Sequence, residues 1–261
     1  MHERERHRII LAEVNEKPVV TVTYLVDLLG ASEATIRRDI NQLHKEGRLI
    51  KVRGGAESLR PPTSMALAGR PIAISQTIHS KEKRLVARAA AKMCRDGDSV
   101  ILGGGSTVFM MAEHLKNTQM HVLTNSFAVA DYLLKHSKNV VNVPAGKIYR
   151  EQNLILSPFN EDGSGNFYAK MLFIGAQGIG PLGVMEADPQ IVQASSRLLK
   201  QAEQRVLVID SSKFEQRSSL ILCALSEVDT VITDAGIYDT SRDMLKENGC
   251  ELIIAEEFLA D

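Results

Sequence analysis

The chain has 261 residues, 44% of them apolar and 24% charged, a composition that excludes disordered and fibrous classes. No apolar run reaches the ~18 residues of a membrane span, and the start MHERERHRII lacks the apolar stretch of a signal peptide, so the cytoplasm is the expected location. A net charge of −1 does not mark a DNA binder by itself, and Cys94, Cys223 and Cys250 lack the spacing of a structural zinc site or disulfide framework.

In chain order, residues 4–16 read as a helix with Ile9, Ile10 and Val14 at helical spacing and Pro18 at its end. Thr21 or Thr23 caps a second helix carrying Leu25, Val26, Leu28 and Leu29, and Gly30 stops it. Ser32 is the N-cap of a third helix, Glu33 to about Lys45. Ile36, Ile40 and Leu43 form its apolar stripe. Ala34, Arg38, Asn41 and Lys45 fall opposite, with Arg37 and Gln42 on the flanks. Arg pairs with guanine and Asn or Gln with adenine, so this face suits a major groove. The segment Arg48–Arg53 followed by Gly54-Gly55 reads as a hairpin wing that brings Lys51 and Arg53 to phosphates. The alternative is a small helical module that binds protein, with its basic face only solvated.

Residues 58–80 read as a linker broken by Pro61, Pro62, Gly69 and Pro71, between a DNA-binding domain at 1–57 and a larger domain at 81–261. A helix from Lys81 to about Met93 is followed by alternating elements. Strands are expected at Ser99–Leu102, His121–Leu123, Val140–Val143, Met171–Ile174, Arg205–Ile209, Val228–Thr233 and Glu251–Ala255. Helices are expected at Val108–Leu115, Phe127–Leu134 and Gln193–Gln204. The alternation predicts an α/β domain with a mostly parallel sheet.

Four strand ends carry polar groups. Gly103-Gly104-Gly105-Ser106-Thr107 is either an anion cradle at a helix start or a tight turn. It matches neither the Walker loop nor the dinucleotide fingerprint. Asn125 and Ser126 either contact a ligand or cap the next helix. Gly175 and Gln177 follow an apolar strand. Lys213 either pairs with an anion or is solvated. No cofactor or metal motif, and no acid/base constellation of a sugar-phosphate isomerase, stands out beside them.

The run SEATIRRDINQLHKEGRLIKVRGGA resembles the signature of the DeoR family of bacterial sugar-catabolism repressors, and LTNSFAVADYL, FIGAQGIGPLGV and VIDSSKF resemble further segments of that family. The resemblance spans about residues 4–255. It implies a winged helix-turn-helix whose contacts include Ser32, Thr35, Arg37 and Arg38, with Asp39 structural, orienting neighbouring arginines or the wing. It also implies an effector domain like the ribose-5-phosphate isomerase fold, with the Gly103–Thr107 loop as the phosphate site. The family's usual Asp-x-Gly-Thr-Thr is replaced here by Gly103–Thr107, and a usual Lys by Arg197. The wing, the loop and Leu156-Ser157-Pro158 are most like the branch that controls L-ascorbate use, which implies a phosphorylated sugar acid such as L-ascorbate 6-phosphate as effector. Operator DNA and further copies of the chain, as a homodimer or homotetramer, are the implied partners.

Overall fold

The N-terminal half of the helix-turn-helix pattern is built as its caps dictate. In a computed structural model, which describes residues 2–16, 19–59, 72–150, 152–158 and 161–256, the chain forms two compact units, residues 1–77 and 78–261. Most of the expected linker, residues 60–71, lies outside the described residues.

In the first unit α1 (Glu3–Glu16) is followed by β1 (Val19–Thr21), α2 (Val22–Leu29) and α3 (Glu33–Lys45). Thr21, not Thr23, caps α2 by accepting from the Tyr24 amide at 3.1 Å, and Gly30 closes the helix at φ 59°. β2 (Ile50–Val52) and β3 (Gly55–Glu57) form the wing, and β1 pairs with β3 to give an antiparallel sheet in the order β1-β3-β2. Ile10, Val14, Val20, Leu25, Ile36, Ile40, Leu43 and Leu49 fill the core between helices and sheet. The Gly-Gly turn has a steric cause. Gly54 turns the chain at φ 83°, and a Cβ on Gly55 would stand 2.3 Å from the Val20 carbonyl oxygen across the sheet.

The second unit opens on α5 (Ser80–Ala91), after the short α4 (Ile72–Ser75) of the first. It continues through β4 (Ser99–Leu102), α6 (Ser106–His114), β5 (His121–Thr124), α7 (Phe127–His136) and β6 (Val140–Asn142). After a hairpin of β7 (Lys147–Tyr149) and β8 (Leu154–Leu156) come β9 (Ala169–Ile174), β10 (Gly178–Gly180), β11 (Gly183–Glu186) and α8 (Pro189–Leu199). β12 (Ala202–Val208), β13 (Leu220–Cys223), β14 (Thr230–Asp234), α9 (Asp239–Glu247) and β15 (Glu251–Ala255) complete it.

Seven strands make one parallel sheet in the order β15-β14-β12-β9-β4-β5-β6. Strand residues alternate between two cores. Val100, Leu102, Val122, Phe173, Val206 and Val208 face the core that includes α5, α6 and α7. Ile101, Leu123, Leu172, Ile174 and Leu207 face the core that includes α8 and α9. Cys223 and Cys250 lie in the second core, and burial pushes the Cys223 thiol up to about 12.

The helix expected at Gln193–Gln204 is instead Pro189–Leu199. Asp188 starts it by accepting from the Gln190 amide at 2.8 Å with Pro189 in the first turn, and Ala202 already pairs with Ala169 as strand. The antiparallel sheet β10-β11-β13, the β7–β8 hairpin and α9 are additions to the expected series. Their strands are too short for a period to show, and α9 buries only Leu245.

Candidate functional site

Helix α3 turns Ile36, Asp39, Ile40 and Leu43 into the core. The predicted Arg37, Arg38, Asn41, Gln42 and Lys45 are all exposed, as are Lys51 and Arg53 of the wing. Ser32 accepts from the Thr35 amide at 3.3 Å, and the two hydroxyls lie 2.9 Å apart at the exposed helix start. Arg37 holds Glu33 one turn earlier at 2.5 Å, with both side chains more than half exposed. Such a pair contributes little and yields readily to a phosphate. Gln42 donates to Glu46 at 3.2 Å.

Asp39 does not orient Arg37, Arg38 or the wing. It is buried and reaches back to α1, where Arg6 donates to it at 2.7 Å and the His7 ring lies 3.3 Å away. It fixes α3 against α1, and through α3 the aim of the exposed face. Its spacing from Ile36 and Leu43 is the signal that sequence reading passed over. The wing is tied on by His44, whose Nδ1 lies 3.2 Å from the Leu49 carbonyl and 3.3 Å from the Lys51 amide. The ring satisfies one or the other according to its tautomer.

In the second unit the chain leaves β4 for β5 and β6 on one side, then returns to β9 and β12 on the other. β4 and β9 therefore flank the topological switch point, whose carboxyl ends form a ligand crevice in open α/β sheets. All four predicted segments lie in a row along these ends: Lys213 after β12, Gly175 and Gln177 after β9, Gly103–Thr107 after β4, Asn125 and Ser126 after β5. The Gly103 amide donates to the Phe173 carbonyl at 2.9 Å, and a Cβ on Gly175 would lie 3.8 Å from the Gly104 oxygen and 3.9 Å from that of Val208.

The loop is a tight turn into α6. Gly104 packs closely against β8: a Cβ there would stand 2.3 Å from Leu154 Cδ2, so that side chain would have to turn aside. Gly105 caps α6 at φ 119° with open space where its Cβ would be. Gly105 supplies no side-chain cap to α6, whose first-turn amides and positive dipole end lie at the end of β4 with Ser106 and Thr107. Ser126 behaves differently. Its hydroxyl caps α7 through the Val129 amide and its own amide donates to Thr124, so the capping reading holds for this residue.

Two neighbours are buried without a partner for one oxygen each. These are Asn125 Oδ1 and Asp210 Oδ2, on residues only 3% and 1% exposed. A buried unsatisfied acceptor costs stability unless a ligand or water meets it. Asp210 also receives the Ser212 hydroxyl, and Asp234 receives the Ser211 amide at 2.7 Å and its hydroxyl at 2.8 Å, which fixes the Asp-Ser-Ser-Lys turn. Lys213 donates to Gln216 at 3.1 Å.

Sequence reading missed Glu186, buried at the end of β11. Burial raises its carboxyl to about 7, helped by Asp188 and opposed by the Ala187 amide and Lys213. Arg197 is not part of this crevice. It sits in the last turn of α8, about 14 Å along the helix from Asp188, and donates to Asp162 at 3.0 Å.

Among the described residues no helix is long and apolar enough to cross a membrane. Residues 6–61 match the model of the DeoR-like helix-turn-helix domain, and residues 78–235 that of the DeoR C terminal sensor domain. The HTH-type transcriptional regulator UlaR of Shigella dysenteriae is 30% identical over 254 residues, 97% of this chain and 99% of that one. UlaR of Escherichia coli K12 matches to the same extent. About half of the chain has a partial likeness to ribose 5-phosphate isomerase A of Methanocaldococcus jannaschii. The match has a TM-score of 0.39 and 18% identity, and covers 52% of this chain and 55% of that one. The chain belongs to the DeoR family of transcriptional regulators, a helix-turn-helix domain joined to a sensor domain.

Proposed function

We propose that the protein represses a carbohydrate-utilisation operon, and that a phosphorylated sugar or sugar acid such as L-ascorbate 6-phosphate sets its affinity for the operator. The observation that carries this reading is the uncapped start of α6 at the switch point, with the orphaned oxygens of Asn125 and Asp210 along the same strand ends. The phosphate sits on Gly103, Gly104, Gly105, Ser106 and Thr107. Asn125, Gly175, Gln177 and Lys213 meet the sugar, and Ser126 supports Asn125 from behind.

In the DNA-binding domain, residues 1–57, Arg38, Asn41, Gln42 and Lys45 enter the major groove. Ser32, Thr35, Arg37, Lys51 and Arg53 hold the backbone. Residues 58–80 link it to the sensor domain, residues 81–261. Two recognition helices spaced for half-sites require a closed homodimer or homotetramer.

The test is titration of the promoter DNA flanking the gene at fixed salt, with and without a panel of sugar phosphates and their unphosphorylated parents. One phosphorylated sugar that changes operator affinity where its parent does not supports the reading. Specific DNA binding that no phosphorylated sugar alters would remove the effector half of it, and no specific binding would remove both.

A further inference from the structure

The crevice has a second acidic feature that the phosphate cradle does not use. Glu186 ends β11, is 8% exposed, and has the Ala187 amide on its Oε1 at 2.9 Å. The charged groups facing it are Asp188, at the head of α8, and Lys213, from the 3-10 turn Ser211–Phe214. On the flanking strands, Leu220 of β13 pairs with Glu186 and β10 ends one residue short of it, with Gly178 opposite Met185. The only other charge on α8, Arg197, is engaged by Asp162.

Position relates Glu186 to the cradle. The Gln177 amide donates to the Met185 carbonyl at 3.0 Å, which joins the end of β11 to the segment after β9. One strand, β9, separates β4 from β12, so the cradle and the Lys213 turn lie about 10 Å apart across the sheet. That span fits a six-carbon phosphate ester, with its phosphate on α6 and its other end among Lys213, Gln177 and Glu186.

We propose that Glu186 is a specificity-determining residue of the effector site: carrying a proton, it donates a hydrogen bond to an acidic oxygen at the end of the effector remote from the phosphate. This rests on the sugar-phosphate reading of the crevice. The proton comes from solvent and stays on the Glu186 carboxyl, and no covalent bond changes. An ionised Glu186 would repel the second acid of the ligand. A protonated one pairs with it beside Lys213, and burial and Asp188 favour that proton.

The test is calorimetry of L-ascorbate 6-phosphate binding to the full-length protein at pH 8, in buffers of different ionisation enthalpy. The phosphate is then fully ionised and takes up nothing. The wild type is expected to take up close to one proton per ligand, and Glu186→Gln none. Asp188→Asn, which keeps the helix cap, is expected to move the rise of uptake to lower pH, and serves also if the first variant fails to fold. Binding without uptake, or equal uptake in the wild type and Glu186→Gln, overturns the role of Glu186 and leaves the site. Failure of the wild type to bind any sugar phosphate of the panel, L-ascorbate 6-phosphate included, overturns the site and this proposal together.

Discussion

Asp39 and Arg38 are neighbours in sequence with opposite tasks. Asp39 faces inward and clamps α1 to α3, so Asp39→Ala is expected to lower the stability of the DNA-binding domain and operator affinity together. Denaturant unfolding beside gel-shift titration checks this, and unchanged stability would be the contrary result. Arg38 faces outward, so Arg38→Ala is expected to cost about 1–3 kcal/mol of specific binding with the fold intact. Lys51→Ala is expected instead to weaken all sequences alike and reduce the salt slope by about 1. The outward face was legible because helical spacing displays it. The partners of Asp39 were not, because Arg6 and His7 lie on another helix. Glu186 escaped for a similar reason: its burial and the approach of Lys213 depend on β13 and the 3-10 turn, both distant in sequence. A carboxyl raised from 4.5 to about 7 favours folding only while protonated. Its stabilisation is present below about pH 4.5 and is lost as pH rises through 7, on the order of 3 kcal/mol in all. Glu186→Gln should therefore gain melting temperature over the wild type at pH 8 and not at pH 4.5.

At the scale of elements, glycines and caps decide what the strand ends present. Gly55→Ala sets a Cβ against the Val20 carbonyl, a backbone atom that cannot give way, so the wing is expected to lose about 1–3 kcal/mol and DNA binding with it. Gly104→Ala meets only the tip of the Leu154 side chain, which can turn aside. Its expected outcome is a folded protein, by circular dichroism and thermal melting, with sugar-phosphate binding lost. Retained ligand binding in that variant would count against the cradle. The three-helix order, the wing and all seven parallel strands were legible, because caps, breakers and apolar runs are local signals. The β10-β11-β13 sheet was not, since its strands are three or four residues long and β13 joins β11 only across α8 and β12. The glycine loop was legible as a cradle or a turn; the packing of Leu154 against Gly104 and the open flank of Gly105 are tertiary features that sequence does not display.

At the scale of the molecule, two units with separate cores share one chain. A hundredfold change in operator affinity requires about 2.7 kcal/mol of coupling between them. The two units also differ in how far apart along the chain their paired strands lie. In the first, β1, β2 and β3 follow one another within a short segment. In the second, β4 cannot pair with β9 until β5, α7, β6 and the β7–β8 hairpin have all been made. Contacts of long sequence separation form slowly, and chains fold from the N-terminus as they leave the ribosome. The helix-turn-helix unit thus completes itself while the chain is still being synthesised, and the row of strand ends from β5 to β12 is whole only after β9 and then β12 have followed.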